Sequence, residues 1–276
     1  MCTIPVLDRV CRESYNQPQA LYAQLKQRGM DLVTVTDHDS IDAAEELRRY
    51  PDFFLSEEVT CTMPSGTEMH AGVYGVSEHD HIELQRRRRD IESLLAYAVE
   101  NQLFVTVNHL YSSLTGPRAE EDFAIFARDF HGVETLNGQM LKWSNRLAED
   151  FARLYGKPVI GGSDSHTLAC VARTFTEVPG ARNAREFLTG MRRGQSVAMG
   201  ESGDYFKLTA AIFNIGGSLI GAKPWMALGS GLLALAPVVT LANYFREIAF
   251  AWYWGQKNRP VDPVVTPAGA APEVAL

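Results

Sequence analysis

Short apolar runs alternate with helical stretches over the first part of the chain. The runs are rich in β-branched residues and predict strands at 31–36, 53–60, 70–76, 103–109, 132–137, 157–164 and 173–178. Between several of them lie stretches of helical period that end at a glycine, namely ALYAQLKQRG, LKWSNRLAEDFARLYG and NAREFLTGMRRG. Repetition of strand and helix predicts a mostly parallel sheet with helices outside, hence a layered or barrel α/β fold.

The pattern changes after residue 205, where charged residues almost disappear. Residues 208–222 are uncharged, and residues 224–245 form a second uncharged run after Lys223. The second run is long enough to cross a bilayer, with Trp225 and Tyr244 placed like interface anchors. It predicts either a membrane span or a hydrophobic helix that docks on the domain or on a partner.

Basic residues beyond the second uncharged run bear on topology. They are Arg246, Lys257 and Arg259, and they favour a cytoplasmic position for the end of the chain. A single membrane crossing would then conflict with a cytoplasmic N-terminal domain, so the topology stays open. The predicted organisation is an α/β domain at 1–200, a linker at 201–223, a hydrophobic helix at 224–245 and a tail at 246–276. The end of that tail, rich in proline and alanine, predicts disorder.

Composition narrows the classes of function. The chain has 276 residues, of which 46% are hydrophobic and 21% charged, as expected of a folded protein. A net charge of -7 gives no general attraction to nucleic acid, so we expect no stable binding of duplexes. The one basic run, 86–89, lies in the helical pattern 82–101, where a solvated face is expected rather than a phosphate site. Four cysteines without C-x-x-C pairing and the lack of a signal peptide predict a cytoplasmic domain, with anchoring to the inner membrane left open.

Histidines and carboxylates recur beside the predicted strands. In chain order the residues at these positions are Asp37, His38, Asp39, Glu57, Glu58, His70, Asn108, His109, Glu134, Asn137, Asp164 and His166. The carboxyl ends of strands converge in parallel α/β folds, so we expect these side chains to share one rim. Imidazole and carboxylate are ligands of zinc, manganese and iron, and several around one rim can hold more than one ion. Such a centre activates water and neutralises phosphoryl charge, which predicts phosphoester hydrolysis.

Five short motifs carry a family resemblance. TDHDS, the pair SEEVT and MHAGVYGV, VNHL, ETLNG and GGSDSH occur in an order and at spacings similar to those of the polymerase and histidinol phosphatase (PHP) family of metal-dependent phosphoesterases. The resemblance covers about residues 1 to 200. It implies a distorted seven-stranded β/α barrel, similar to a TIM barrel, with up to three divalent metal ions.

The resemblance also implies roles for individual residues. By matched motifs, the metal ligands are His38, Glu58, His70, His109, Asp164 and His166. Glu58 is preferred to Glu57 because the family glutamate directly precedes an apolar strand residue, here Val59. Asp37 and Asp39 are expected to orient the histidine ligands rather than to bind metal themselves. Glu134 and Asn137 either line the pocket or cap helices.

One part of the family pattern is missing. The family begins with a strand that ends in His-x-His, followed by a third histidine, whereas no histidine precedes His38 here. We therefore predict a barrel that lacks its first strand, and expect the native chain to extend upstream of Met1 by that strand. If it does not, we expect weak metal occupancy and little hydrolysis.

Other candidate chemistry is weaker. His79 and His81 resemble a ligand pair, but we expect both to be solvated residues at a helix start, and His131 to be structural. No serine or cysteine has the sequence context of a known nucleophile, and no glycine-rich phosphate loop is present.

Two functions follow from the sequence. The first is hydrolysis, by metal-activated water, of a phosphomonoester, nucleotide or short oligonucleotide. The second is a catalytically impaired, PHP-like barrel that is attached to a membrane through 224–245 and binds a phosphorylated ligand or a protein partner. Elemental analysis of bound metal distinguishes the two.

Overall fold

The structure is a computed structural model that describes residues 16–222 and 224–258, with the backbone alone at 222 and 224–229. The end of the tail, predicted to be disordered, falls on residues 259–276, which like residues 1–15 lie outside the described residues.

The main sheet has five strands in chain order. They are β1 (Ser56–Thr62), β2 (Glu68–Tyr74), β3 (Phe104–Val107), β4 (Gly132–Asn137) and β5 (Val159–Gly162). The first three strands pair antiparallel, and only the β3–β4 and β4–β5 pairs are parallel. The prediction of a mostly parallel sheet is therefore wrong for its first half. The turn at 63–67 that joins β1 to β2 is too short for the crossover that a parallel pair needs.

A separate antiparallel pair lies beside β5. It consists of β6 (Thr174–Glu177) and β7 (Val197–Gly200), of which β7 has no counterpart among the predicted strands. Thr176 Oγ1 and the backbone of Gly161 in β5 exchange hydrogen bonds of 2.9 Å. The α/β class is confirmed, whereas strand pairing among the described residues does not close a barrel.

The predicted strand at 31–36 is not a regular strand. Residues 31–38 run parallel to residues 53–58, which lead into β1, and meet them through two isolated bridges, Val33 with Phe53 and His38 with Glu58. Opposite β1, the segment borders a cavity of about 760 Å³ whose far wall includes residues of β5 and β6. A strand needs a continuous ladder of backbone hydrogen bonds, and the bridges along this segment are isolated.

Nine α-helices connect and cover these strands in the described part of the chain. They are α1 (Pro18–Gln27), α2 (Asp42–Leu47), α3 (Glu78–Arg87), α4 (Ile91–Glu100), α5 (Glu120–Asp129), α6 (Lys142–Leu154), α7 (Ala184–Arg192), α8 (Tyr205–Ala222) and α9 (Ala236–Lys257), with a 3₁₀ helix at Pro224–Leu235. The helical pattern at 82–101 forms two helices, α3 and α4. The break occurs at Asp90, whose side chain accepts a hydrogen bond from Ser93 N and caps α4.

Alternation along the strands separates a core face from a site face. Val59 and Cys61 of β1, like Val105 and Val107 of β3, belong to the hydrophobic core that the helices cover. Residues one position away point to the opposite face, because successive strand side chains alternate. Glu58 is one of these, and the candidate site lies on that face.

The second half of α9 docks on the α/β domain. Ala251 and Trp254 are buried in the main core, and the ring of Trp254 stacks on Phe123 of α5 with centroids 5.2 Å apart. Lys257 Nζ pairs with Glu120 at 3.0 Å. Residues Ser230–Lys257 are also long and apolar enough to cross a membrane by length and composition alone. The predicted hydrophobic segment 224–245 corresponds to the 3₁₀ helix and the first half of α9.

Replacement of Trp254 by alanine should weaken this docking. Trp254 is 7% exposed, and truncation of a buried tryptophan costs about 3 to 5 kcal/mol through lost burial and the cavity left behind. Urea unfolding of Trp254→Ala should show that loss. Trp252, which is 58% exposed on the same helix, provides the control, because Trp252→Ala should change the free energy of unfolding by less than about 0.5 kcal/mol. Equal effects of the two variants would contradict the docked arrangement.

Candidate metal site

Antiparallel register brings two predicted ligands onto the same face. In the β1–β2 pair Thr60 lies opposite His70, and Glu58 lies opposite Gly72. Glu58 and His70 are therefore diagonal neighbours on one side of the sheet. A Cβ at Gly72 would come within 2.7 Å of Thr106 Oγ1, so the glycine leaves the space in which these polar side chains meet.

His38 joins this pair from the segment along the edge of β1. The backbone N–H of Glu58 donates to Asp37 O at 3.1 Å, and Asp39 N donates to Glu58 O at 2.8 Å, which fixes His38 beside the strand. His38 Nε2 lies 3.2 Å from Glu58 Oε2, and His70 Nδ1 lies 3.6 Å from the same oxygen. One potential ligand atom from each of these three residues lies within 4.8 Å of the other two.

His109 extends the cluster towards β4. Its Nε2 lies 2.9 Å from His70 Nδ1, within hydrogen-bond distance. The preceding residue, Asn108, donates from Nδ2 to Glu58 Oε1 at 2.7 Å and orients that carboxylate. The sequence placed Asn108 at the same rim but gave it no role, and the structure shows it holding the Glu58 carboxylate.

Acidic and amide groups of β4 and β5 close the other side of the site. Glu134 Oε2 accepts from the backbone N–H of His109 at 2.9 Å and lies 3.4 Å from its Nδ1. Asn137 Nδ2 donates to Glu134 and, at 3.2 Å, to Asp164 Oδ2. Glu134 and Asn137 thus line the site and connect His109 to Asp164. Asn137 Oδ1 also accepts from the backbone N–H groups of Gln139 and Met140 in the turn before α6.

His166 lies at the margin of the cluster. Its Nδ1 is 3.2 Å from the backbone oxygen of Asp164 and 3.8 Å from Oδ1 of the same residue. Its side chain is 34% exposed, compared with 6% for His109. Both His166 and Asp164 line the large cavity together with His38 and Glu58. Four of the six predicted ligands are in direct mutual contact, and Asp164 and His166 approach from the cavity side.

Backbone strain is concentrated at the site. Asp39, His109 and Asp164 have φ values of +52°, +32° and +44°, in the left-handed region that side chains with a Cβ rarely adopt. Such conformations persist where the surrounding contacts hold them, and they cluster at functional sites.

Burial and mutual charge shift the pKa values of the cluster in opposite directions. Burial raises the pKa of Glu58, and the nearby His109 and His38 only partly offset it. Burial and the neighbouring His109 and His38 hold the pKa of His70 far below its usual range. Burial also lowers the pKa of His109, but the hydrogen bond to Glu134 and the nearby carboxylates outweigh it and raise this pKa to about 9. The pKa of Asp164 is lowered despite its burial, because His166, His109 and Asn137 stabilise the carboxylate.

The donor set fits divalent cations. His38 Nδ1 and His70 Nε2, the ring nitrogens other than those nearest Glu58, are buried and have no hydrogen-bond partner among the described residues. Buried polar atoms are normally paired, so the described protein groups do not account for these two nitrogens. Imidazole nitrogens beside buried carboxylates suit zinc, manganese or iron.

Asp39 belongs to a structural ion pair beside the site. Its Oδ1 accepts from Thr60 N at 2.9 Å, and Arg88 Nη1 donates to its Oδ2 at 2.5 Å. The arginine run is therefore not a uniformly solvated face, since Arg88 holds the segment that carries His38. Asp37 lines the cavity and contributes its backbone oxygen to β1.

Loss of the Arg88 contact should loosen the segment around His38. We expect Arg88→Gln to lower the affinity for Mn²⁺ by about tenfold, the lower end of the effect of groups that support metal ligands. Isothermal titration of Mn²⁺ into the purified chain measures it. Arg86→Gln is the matched control, because Arg86 is 70% exposed and pairs with Glu83 on its own helix. An unchanged affinity in Arg88→Gln would show that the ion pair does not support the site.

Glu57 faces away from the cluster, as alternation along β1 requires. Its Oε2 is 2.8 Å from His81 Nδ1 and accepts from Gln85 Nε2 at 3.0 Å. The expectation that His81 is merely solvated is wrong, because its ring covers a fully buried carboxylate. His79 is exposed, as expected, and His131 Nδ1 accepts from Val105 N in a structural contact.

The C-terminal helix reaches the turn that carries His109. Ser112 N donates to His109 O at 3.0 Å, and the next backbone N–H, of Ser113, donates to both carboxylate oxygens of Glu247 at 3.2 Å. Glu247 is the one acidic residue of α9, and it is buried. Ser113 and Glu247 are 134 positions apart in the chain, so no local sequence pattern predicts their contact.

Comparisons with known proteins address the fold and the family resemblance. Residues 142–196 match the family model described as PHP-associated. No curated protein matches the chain. Among solved structures, PsfC from Pseudomonas syringae PB-5123 is 14% identical, with a TM-score of 0.52 over 90% of this chain and 95% of that one.

Two further solved structures are less similar. A protein assigned as a metal-dependent phosphoesterase from Bifidobacterium adolescentis is 14% identical, with a TM-score of 0.43 over 56% of this chain and 84% of that one. The lesion-specific endonuclease PfuEndoQ from Pyrococcus furiosus is 14% identical, with a TM-score of 0.49 over 68% of this chain and 56% of that one. The family-model match confirms the resemblance to PHP proteins, and the likeness to PsfC concerns the fold alone.

Proposed function

We propose that this PHP-like chain is a metal-dependent phosphoester hydrolase whose ions are held by His38, Glu58, His70, His109, Asp164 and His166. The observation that carries the proposal is the cluster of His38, Glu58 and His70, with one potential ligand atom from each within 4.8 Å of the others. The match to the PHP-associated model over residues 142–196 supports it from a part of the chain outside that cluster.

Bound divalent cations would supply an activated water and neutralise charge that develops on the phosphoryl group. The chain's own residues organise the site for that chemistry. Asn108 donates to Glu58 and leaves the second oxygen of this carboxylate facing His38 and His70. Glu134 fixes the orientation of His109, and Asn137 does the same for Asp164. A nearby acid or water protonates the leaving oxygen.

The substrate class we propose is a small phosphate ester, either a phosphomonoester, a nucleotide or a short oligonucleotide. The cavity of about 760 Å³ is open to the cluster at Glu58 and Asp164 and has apolar walls further away, including Phe54 and Phe187. A pocket of this volume accommodates a nucleotide-sized molecule. The net charge of -7 disfavours extended contact with a duplex, so local recognition of one phosphate is the favoured mode.

The test combines metal content with hydrolysis. The purified chain, incubated with Mn²⁺ or Zn²⁺ and desalted, should retain at least one ion per chain by elemental analysis. It should then hydrolyse an aryl phosphate monoester or the corresponding diester, and chelation should abolish the activity. The ratio of monoester to diester rates distinguishes a phosphatase from a nuclease-like enzyme.

The alternative of a binding module predicts a different result. A folded chain that retains no ion and hydrolyses neither ester would refute the hydrolase. Retention of ions without hydrolysis of either ester would also count against catalysis, and would favour a module that binds phosphorylated ligands through its metal site.

A further inference from the structure

The segment between the α/β domain and the docked end of α9 is almost free of charge. From Leu208 to Phe245, Lys223 is the only ionisable residue other than tyrosine. Soluble domains do not normally carry so long an uncharged stretch outside the core. The stretch lies in α8, the 3₁₀ helix and the first half of α9, and it includes the start of the candidate span Ser230–Lys257.

These elements form a helical hairpin. Tyr205, at the start of α8, donates from its hydroxyl to Pro237 O at 3.2 Å, and its ring meets Tyr244 with centroids 6.5 Å apart. Further along α8, a Cβ at Gly216 would lie 2.6 Å from the side chain of Leu233, so the helices approach closely there. The two arms are therefore antiparallel, and both ends of the hairpin lie at the domain.

The hairpin exposes apolar side chains from both arms. The exposed residues are Phe206, Phe213, Leu232, Leu235, Val238, Val239, Leu241 and Phe245. Only 11% of the most apolar window of Ser230–Lys257 is buried against the rest of the protein. A contiguous exposed apolar surface of this kind marks a contact with a partner or with lipid.

The distribution of these residues favours lipid over a second protein. Along α9, Val238, Leu241, Phe245, Ile248 and Trp252 follow one another at the spacing of a coiled-coil seam. A coiled coil in water, however, flanks its seam with charged residues, and the positions between Pro237 and Phe245 are all uncharged. Helices that are apolar all round belong to protein interiors or to membranes.

Dimensions and interface residues agree with a bilayer. The 18 residues of α8 extend over about 27 Å at 1.5 Å per residue, close to the thickness of a hydrocarbon core. Aromatic residues gather at the base of the hairpin, namely Tyr205, Phe206, Tyr244 and Phe245. Arg246, the next residue of α9, is exposed. Aromatic and basic residues at the end of an apolar segment are typical of a membrane interface.

We propose that residues 205–245 insert into a lipid bilayer as a helical hairpin, with the α/β domain and the docked end of α9 on the same side. This arrangement removes the topological conflict of a single crossing, because the chain enters and leaves the membrane from one face. The buried contacts of Ala251, Trp254 and Glu247 attach the hairpin firmly to the domain that carries the candidate site. The inference is independent of the proposed hydrolase activity.

Flotation with vesicles of phosphatidylethanolamine and phosphatidylglycerol tests the insertion. The full chain should float with the vesicles and resist extraction by carbonate. Phe213→Lys and Val238→Lys place a charge on the outer surface of each arm and should each lower partitioning by at least about tenfold. Val99→Lys is the matched control, because Val99 is 60% exposed on α4, away from the hairpin, and should leave flotation unchanged.

The outcome that overturns the proposal is also specific. A chain that stays in the aqueous fraction, as a monomer or as a dimer by analytical ultracentrifugation, does not insert. Equal flotation of the two lysine variants and the wild type would likewise refute it, provided that their circular dichroism is unchanged.

A protease experiment tests the topology of the hairpin. Inside-out bacterial membrane vesicles that carry the chain with a tag at each end should lose both tags to an added protease. Loss of one tag only would establish a single crossing and overturn the hairpin.

Discussion

Replacement of Glu58 by glutamine should lower metal-dependent hydrolysis by more than about a hundredfold. Loss of groups that merely support metal ligands already costs about 10 to 100-fold, and Glu58 is the carboxylate that His38 and His70 both face. Glutamine keeps the shape and the contact to Asn108 but removes the negative charge. We expect retained metal, measured by elemental analysis, to fall in parallel with the rate on an aryl phosphate.

The adjacent residue provides a sharp control for this experiment. Glu57 is also buried and acidic, but it points to His81 and Gln85 on the other face of β1. Because the Glu57 carboxylate does not face His38 or His70, Glu57→Gln should leave metal retention within about threefold of the wild type. If both variants lost metal equally, the loss would come from damage to strand β1 and not from the missing Glu58 carboxylate.

Replacement of His109 by alanine should also abolish metal-stimulated hydrolysis. His109 contacts His70 directly and links Glu58 to Glu134, so its removal breaks the cluster at its centre. The expected loss in rate exceeds about a hundredfold, since a proposed ligand and the connection between its neighbours disappear together. The measurement is the rate on an aryl phosphate at saturating Mn²⁺.

Two observations keep the His109 experiment interpretable. His79→Ala, at an exposed position outside the site, should retain the wild-type rate and metal content. The free energy of unfolding of metal-free His109→Ala should also be measured, because His109 is buried and strained. A folded His109→Ala protein with wild-type activity would refute its assignment as a ligand, whatever the state of the other residues.

The sequence identified most polar residues of the candidate site. Motif order and spacing pointed to His38, Glu58, His70 and His109, and these residues lie in direct contact in the structure. Their metal-binding role stays a prediction. Most strands were also predictable, because period-two alternation and β-branched runs are local properties. The pattern at 82–101 predicted one helix, but Asp90 near its centre caps α4 and divides the stretch into two helices.

The carboxyl ends of parallel strands, from which the sequence predicted a shared rim, explain only part of how the site residues meet. Ends of parallel strands do not bring Glu58 and His70 together, since both lie within antiparallel strands and meet through register. Register depends on the turn at 63–67 and on which face is buried, and neither can be derived from residue types alone.

Local sequence by itself determined the α/β class, the positions of most helices and strands, and the residues that make up the candidate site, because propensity, alternation and motif spacing act over a few residues. Tertiary structure alone decided that Arg88 holds Asp39, that His81 covers Glu57 and that Glu247 reaches Ser113. It also decided that the apolar end of the chain folds back as a hairpin and then docks through Trp254. These contacts join positions far apart in the chain, and their partners are selected by the packing of the whole domain rather than by any local pattern.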